Sequence, residues 1–175
     1  MAVSKAKKAR PAAAAEPSNK SLSHVDADGK VLMVDVTDKR ESARLAVARG
    51  LLRCSAQTRE ALLSSSTSKK GEALVTAKVA GILAAKQTGT LIPLCHPVAL
   101  SDIVVDISAV AAGFAIEARV ACVGRTGVEM EALVAVSVCG LTLYDMGKAL
   151  ERDMVLSEVR LVEKRGGKSG VWLRS

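Results

Sequence analysis

The chain has 175 residues, enough for one domain with an ordinary packed core. Hydrophobic residues make up 49% and aromatics only 2%, so the interior has to be aliphatic, and the ring platforms on which single-stranded nucleic acids stack are scarce. The net charge of +7 is largely local: residues 1–20 hold five cations against Glu16, which leaves +3 for the rest, a mild balance that suits an anionic small molecule at least as well as a polynucleotide.

Residues 1–22 are Lys/Ala-rich with Pro11 and Pro17, and read as a disordered basic tail ahead of a single catalytic domain over 23–175. Acids are scarce in the tail, as in a mitochondrial presequence, but serines are too, which favours a bacterial cytoplasmic extension. Asp26-Ala27-Asp28-Gly29 is a turn signal, and Val31 to Val34 reads as a short extended stretch. Ser42 to Cys54 is ambiguous. Its Ala, Leu and Arg content favours helix, yet Leu45, Val47, Arg49 and Leu51 alternate with Arg44, Ala46, Ala48 and Gly50 as in a strand.

Ser55 to Ser64 predicts a short helix with Ser55 as N-cap. Glu72 to Thr88 predicts a longer one, with Val75, Val79 and Ile82 along one side. Ala77, Gly81 and Ala84 form a small-residue flank that lets another element approach, and Gly89 is the expected stop. Ile103 to Ile107 and Phe114 to Cys122 alternate around Gly113 and predict a hairpin. Thr126 and Glu129 match a capping box, opening a helix expected to reach about Leu150. Val155 to Val162 reads as the final strand, followed by Gly166-Gly167-Lys168-Ser169-Gly170. Together these elements predict an α+β fold, an antiparallel sheet with helices on one face.

The four cysteines, Cys54, Cys95, Cys122 and Cys139, are widely spaced with no CxxC pair, which argues against a zinc ribbon or thioredoxin-like centre and predicts free thiols in a reducing compartment. The N-terminus lacks an apolar signal core. The longest nearly uncharged run, Ala132 to Tyr144, is shorter than the ~20 residues of a membrane helix, so a cytoplasmic protein is expected.

Several residues suggest chemistry. Pro93 and Pro97, the only prolines outside the tail, bracket Leu94-Cys95-His96 and stiffen the presentation of one imidazole; a loop with an incidental proline is the plain alternative. Asp145 and Lys148 are spaced i, i+3, so they meet on one helix face, either as an exposed ion pair or as a tuned proton-transfer pair. Glu129 and Glu131 fall in a first helical turn, where the dipole favours acids. Glu131 and Asp145 are separated by about 21 Å at ~1.5 Å per residue, so a small-molecule site using both is shared between subunits. Gly166 to Ser169 lacks the upstream glycine of a P-loop, but a glycine-rich loop with Lys168 can still cradle phosphate. Lys69-Lys70-Gly71 puts cations near a helix N-terminus, though a solvated basic turn is the commoner use of either loop. The shared theme is a polyphosphorylated small molecule.

Met33-Val34-Asp35-Val36-Thr37, Lys70-Gly71, Leu91 to Pro97, Thr126 to Leu133, Tyr144-Asp145-Met146 with Lys148, and Gly166 to Gly170 together resemble the cyclic pyranopterin monophosphate synthase family of molybdenum cofactor biosynthesis. The resemblance runs in order from about Met33 to Gly170. It implies a ferredoxin-like subunit in a homohexamer, a trimer of dimers with sites at the dimer interfaces, and it implies that Ser42–Cys54 is a strand. The implied reaction converts 3′,8-cyclo-7,8-dihydroguanosine 5′-triphosphate to cyclic pyranopterin monophosphate, with pyrophosphate leaving. By matching position, Asp145 is the catalytic acid/base with Lys148 beside it, and Lys70 is a catalytic or phosphate-orienting cation. Leu94, Cys95, His96, Met130 and Glu131 line the pocket, and Arg44 and Lys168 hold phosphates. The resemblance implies no bound cofactor and no protein metal site, with magnesium able to accompany the phosphates. The competing reading is a nucleotide- or RNA-binding module without chemistry, against which the scarcity of aromatics and the Asp145/Lys148 pair both weigh.

Overall fold

A computed structural model describes residues 22–26, 28–65 and 73–175. The chain divides into two compact units, one ending at Leu32 and one running from Met33 to Ser175. In the first, the expected turn is present. The Asp26 Oδ1 accepts from the backbone amides of Asp28 and Lys30, the Gly29 amide donates to the Asp26 carbonyl, and Gly29 adopts φ +80°. The extended character at Val31 amounts to a single antiparallel bridge with Val25 rather than a strand.

The second unit runs β1 (Ser42–Arg53), α1 (Ala56–Ser65), α2 (Ala73–Lys86), α3 (Thr88–Leu91), β2 (Leu100–Val110), β3 (Gly113–Gly124), α4 (Glu129–Gly147), β4 (Val155–Arg165) and β5 (Trp172–Leu173). The sheet order is β2-β3-β1-β4-β5, and every neighbouring pair is antiparallel. The α+β class is therefore as expected, and the main elements follow the β-α-β-β-α-β succession.

Ser42–Arg53 is a strand despite its helix propensity. It is paired along both edges, to β3 and to β4, and that context outweighs intrinsic preference. Its small residues face the helices: Ala46, Ala48 and Leu52 are fully buried. Gly50 is there because α4 passes close; an added Cβ would stand 2.6 Å from Val136 Cγ1. The small flank of α2 is its packed face, with Ala73, Ala77 and Gly81 buried. A Cβ at Gly81 would lie 2.9 Å from the Ala135 carbonyl oxygen of α4. Val75, Val79 and Leu83 remain exposed on the other side of α2. The core is aliphatic around one aromatic, Phe114, with Leu52, Ile116, Val120 and Leu143.

The opposite sheet face is mixed, with charged pairs beside Leu45, Val47 and Leu51. Arg49 pairs with Glu117 across β1 and β3, and Arg119 pairs with Asp102 across β3 and β2. An open cavity of about 910 Å³ runs over β1, β3 and β4 to Arg174 and Ser175.

Other expectations are sharpened or corrected. Ser55 does cap α1, its Oγ accepting from the Thr58 amide at 3.2 Å, and the Glu151 carboxylate receives the Ser55 amide. Gly89 does not stop α2, which ends at Lys86. It lies inside α3 because Pro97 packs on it, an added Cβ meeting the Pro97 Cα at 3.1 Å. The Thr126 capping box does not form: the N-cap position is Val128, without a side-chain cap bond, and Glu129 is drawn instead to Lys164. Val155 to Val162 is not the final strand, because β4 extends to Arg165 and β5 follows it. By length and composition α4 could cross a membrane, but Ala132, Ala135, Val136, Cys139 and Leu143 bury one face of it in this core.

Candidate active site

The site forms where β1 starts, β3 and β4 end, and α4 begins. Arg44 opens the helix-facing row of β1, so its stem is half-buried while its guanidinium emerges at the sheet end. Its Nε donates to the Gly124 carbonyl at 2.8 Å and its Nη2 to the Arg125 carbonyl at 3.0 Å. Nη1 faces Gly167, where a Cβ would collide with it. Gly166 and Gly167 both take positive φ, and Gly166 presses on the Ala43 carbonyl. Only glycines allow this left-handed close approach, which brings Lys168 beside Arg44.

Two cavities result. One, of about 430 Å³, is lined by Lys39, Arg44, Arg125, Lys164 and Lys168, with Glu129 the one acid among its described lining residues. The adjoining one, of about 340 Å³, shares Lys39, Arg44, Gly167 and Lys168 and adds Arg40. Five cations around one carboxylate create a strongly positive concavity, a receptor for an anion with several charges. Lys164 and Glu129 form an ion pair in which both side chains are mostly shielded.

Glu131 lies at the base of this region and is only 4% exposed. Burial pushes its carboxyl pKa up, its own backbone amide opposes this, and the like charge of Glu129 adds to the rise. The net direction favours the protonated carboxyl. Cys95 lies within electrostatic reach: its thiol is pushed up by burial and then by the Glu131 charge. Leu94, Cys95 and His96 are half-buried between α3 and β2, and the Cys95 amide closes a turn onto the Ile92 carbonyl at 3.0 Å. Asp35 is held below the usual carboxylate range by the Thr37 hydroxyl and amide; burial opposes this, and the charges of His96 and Lys39 help it. Asp35 therefore links the histidine segment to the cationic cavity. Met130, next to Glu131, is exposed.

Asp145 and Lys148 stand at the other end of α4, about 21 Å from Glu131 at ~1.5 Å per residue. They are 2.5 Å apart, with side chains 68% and 57% exposed respectively. The hydrogen bond from Lys148 to Asp145, and then that carboxylate's charge, raise the Lys148 pKa. Tyr144 anchors the helix end by donating to the Arg152 carbonyl at 2.9 Å. The predicted site residues thus fall into two groups. Arg44 and Lys168 line the cationic cavity, Met130 and Glu131 stand in the first turn of α4, Cys95 is within electrostatic reach of Glu131 and His96 of Asp35, with Leu94 beside them in sequence, whereas Asp145 and Lys148 stand at the other end of α4. Lys70 lies outside the described residues.

Sequence reasoning missed Lys39, Arg125 and Lys164 as cations of the cavity, and gave Asp35 no role. Lys164 stands two residues before Gly166, so nearness to the glycine turn was its one available signal. Among the described residues no three His, Cys, Asp or Glu side chains are grouped so as to hold a metal ion.

Fold and site together define an α+β protein with a multiply cationic receptor for an anionic small molecule. The MoaC family model matches residues 33–167, and the chain belongs to that family. It is 55% identical over 151 residues to the cyclic pyranopterin monophosphate synthase of Novosphingobium aromaticivorans, covering 86% of this chain and 96% of that one. The synthase of Desulfitobacterium hafniense is 49% identical over 154 residues, covering 87% and 94%. Cyclic pyranopterin monophosphate synthase 2 of Mycobacterium tuberculosis is 49% identical over 166 residues, covering 95% and 99%.

Proposed function

We propose that this chain is a cyclic pyranopterin monophosphate synthase, a lyase of molybdenum cofactor biosynthesis. It converts (8S)-3′,8-cyclo-7,8-dihydroguanosine 5′-triphosphate to cyclic pyranopterin monophosphate and releases pyrophosphate. The observation that carries the reading is the cavity of five cations around one carboxylate at the start of α4, in a chain of this family.

The chemistry follows from charge. Closing the cyclic phosphate requires a substrate hydroxyl to attack the α-phosphorus, with the bond to the β-phosphate oxygen breaking. The electron pair leaves on pyrophosphate, and the hydroxyl proton passes to a base. Arg44 and Lys168 stabilise the negative charge that grows on the leaving group. Rearranging the purine needs further proton transfers, assigned to Asp145 with Lys148 beside it, and Lys70 is the third catalytic residue, a catalytic or phosphate-orienting cation. Leu94, Cys95, His96, Met130 and Glu131 form the pocket wall. No resident cofactor is assigned, and magnesium is able to accompany the substrate phosphates.

Asp145 and Lys148 reach this pocket only from a second chain, so the site is shared between subunits of a homohexamer, a trimer of dimers. The exposed Val75, Val79 and Leu83 stripe and the uncovered sheet face are surfaces for such contacts. The protein works in the cytoplasm on a small molecule, with neither nucleic acid nor membrane as partner.

The test is to incubate the purified full chain with the cyclo-dihydroguanosine triphosphate and to measure pyrophosphate and pterin together. Both are expected in equal amounts. Tight substrate binding without either product would establish a binding module instead. Sedimentation of the same sample tests the assembly, since an active monomer is incompatible with a shared site.

A further inference from the structure

The two cavities at the start of α4 share a wall made by Lys39, and Lys39 sits on a turn that one residue ties down. Within that turn the Asp35 Oδ1 accepts from the Thr37 amide at 2.8 Å and from its hydroxyl at 2.6 Å, and the Lys39 amide donates to the Val36 carbonyl at 3.1 Å. Arg125, just past β3, reaches across: its Nη1 donates to the Thr37 carbonyl at 3.0 Å, and its Nε lies 3.8 Å from Glu41. The same residue's own carbonyl accepts from Arg44 Nη2. Arg125 therefore holds the Lys39 turn with its side chain and the Arg44 guanidinium with its backbone.

The charges in this cradle are not equally available. Lys164 is neutralised by Glu129, and Arg125 is engaged with Thr37 and Glu41. Arg44 spends two of its nitrogens on carbonyls and keeps Nη1 toward the loop. Lys39 and Lys168 make no ion pair within 4 Å among the described residues. They are the cations left to meet an incoming anion, and both line the two cavities together with Arg44. Two adjoining cavities with these cations between them fit linked phosphates better than one.

We infer that Arg125 is a positioning residue that locks the Asp35–Arg40 turn, so that Lys39 receives the pyrophosphate end of the substrate's triphosphate across both cavities. The turn residues Thr37 and Lys39 are exposed, so without the lock their ordering would have to accompany binding and would weaken it. The inference rests on the proposed reaction for the identity of the ligand, and the experiment separates the two.

Inorganic pyrophosphate binding is measured by calorimetry on the full-length wild type and on Lys39→Ala, Arg125→Ala and their double variant, with KM and kcat for the cyclo-dihydroguanosine triphosphate alongside. Arg125→Gln enters the same cycle should the alanine variant lose its thermal transition. Lys39→Ala is expected to weaken pyrophosphate about tenfold, the loss of one charge-assisted contact, and orthophosphate less. Arg125→Ala should weaken pyrophosphate in the same direction, with KM rising more than kcat falls. The double variant should be no weaker than Lys39→Ala alone, because one residue acts through the other. Additive losses, an unchanged Lys39→Ala, or an equal loss in Lys78→Ala, a cation paired with Asp106 on edge strand β2, would each overturn the inference. Binding that depends on Lys39 and Arg125 in a protein that makes no pterin supports the cradle and overturns the reaction.

Discussion

The two ends of α4 carry equally charged residues in opposite settings. At its start, Glu131 is 4% exposed, Glu129 is paired with Lys164, and β1, the Gly166–Gly167 turn and the Cys95–His96 segment close around them. At its end, Asp145 and Lys148 form an ion pair with no other ion-pair partner among the described residues, and both side chains are exposed. One chain completes the first environment, and its electrostatics are already perturbed. In the second, solvent screens the pair, which contributes little to folding. The same two groups would interact far more strongly against the low-dielectric surface of a second chain. Glu131 and this pair lie about 21 Å apart along α4 at ~1.5 Å per residue, and the proposed shared site requires the two ends to belong to different chains.

The largest effect that tests this contrast is on chemistry at the exposed end. Asp145→Asn and Lys148→Ala should each lower kcat by about 10²–10⁴, the range for a positioned acid or base. Thermal midpoints should barely move, since an exposed pair contributes little to folding. A collapse of the thermal transition in either variant would return the pair to structural duty. Mixing subunits probes the same contrast more finely. Inactive Asp145→Asn and Glu131→Gln proteins should recover part of their activity after subunit exchange, because some interfaces then carry both intact halves. No recovery after exchange verified by mass would place both halves in one chain. The built end responds differently. Arg44→Ala should raise KM about tenfold or more and also cost about 1–3 kcal/mol of stability, because the Gly124 and Arg125 carbonyls lose their donors. A KM change without a stability change would mean that those backbone bonds are not what holds the cradle.

Much of this was legible in the sequence, and the exceptions share a cause. The hairpin, the long apolar helix and the small flank of α2 are visible because their periodicity is local and one face of each is buried. Ser42–Arg53 resisted because its helix-facing row includes Ala46, Ala48 and Gly50, residues that sit in a strand because β3 and β4 pair both edges and α4 packs closely over them. The capping box failed for a related reason: Glu129 had a local partner on paper, but the Lys164 ammonium, which β4 delivers from 35 residues away, claimed it. Gly89 read as a stop because its packing partner, Pro97, belongs to the next segment. In the site, Arg44 and Lys168 could be named through family motifs, whereas Lys39 and Arg125 lie on ordinary-looking basic stretches. Their value comes from the turn geometry that brings them together, which no spacing encodes. The four cysteines show the same limit. Cys139 has its thiol pushed up to about 12 by burial inside α4, while Cys95 lies half-buried between α3 and β2; the proline frame marks Cys95 in the sequence, but the depth of burial of either thiol is set by packing.

The smallest expected effect is on stability, and its sign distinguishes the two ends of α4. Burial raises the Glu131 pKa, so the folded state holds that proton more tightly than the unfolded chain does. Below the unfolded-state pKa both states are protonated and ionisation costs nothing. As pH rises through the window between the unfolded and folded values, the unfolded chain releases the proton first, and folding becomes less favourable. Above the folded value the full cost persists. Glu131→Gln removes this cost while keeping the side chain's size and a carbonyl acceptor. Its thermal midpoint should exceed that of the wild type by a few degrees at neutral pH and match it near pH 4. Asp145→Asn should bring no gain in thermal midpoint, because replacing an exposed carboxylate relieves no burial and removes the acceptor of Lys148. An equal gain in both variants would erase the difference between the ends, and a Glu131→Gln protein destabilised at neutral pH would mean that the Glu131 carboxylate is held charged by a partner from another chain.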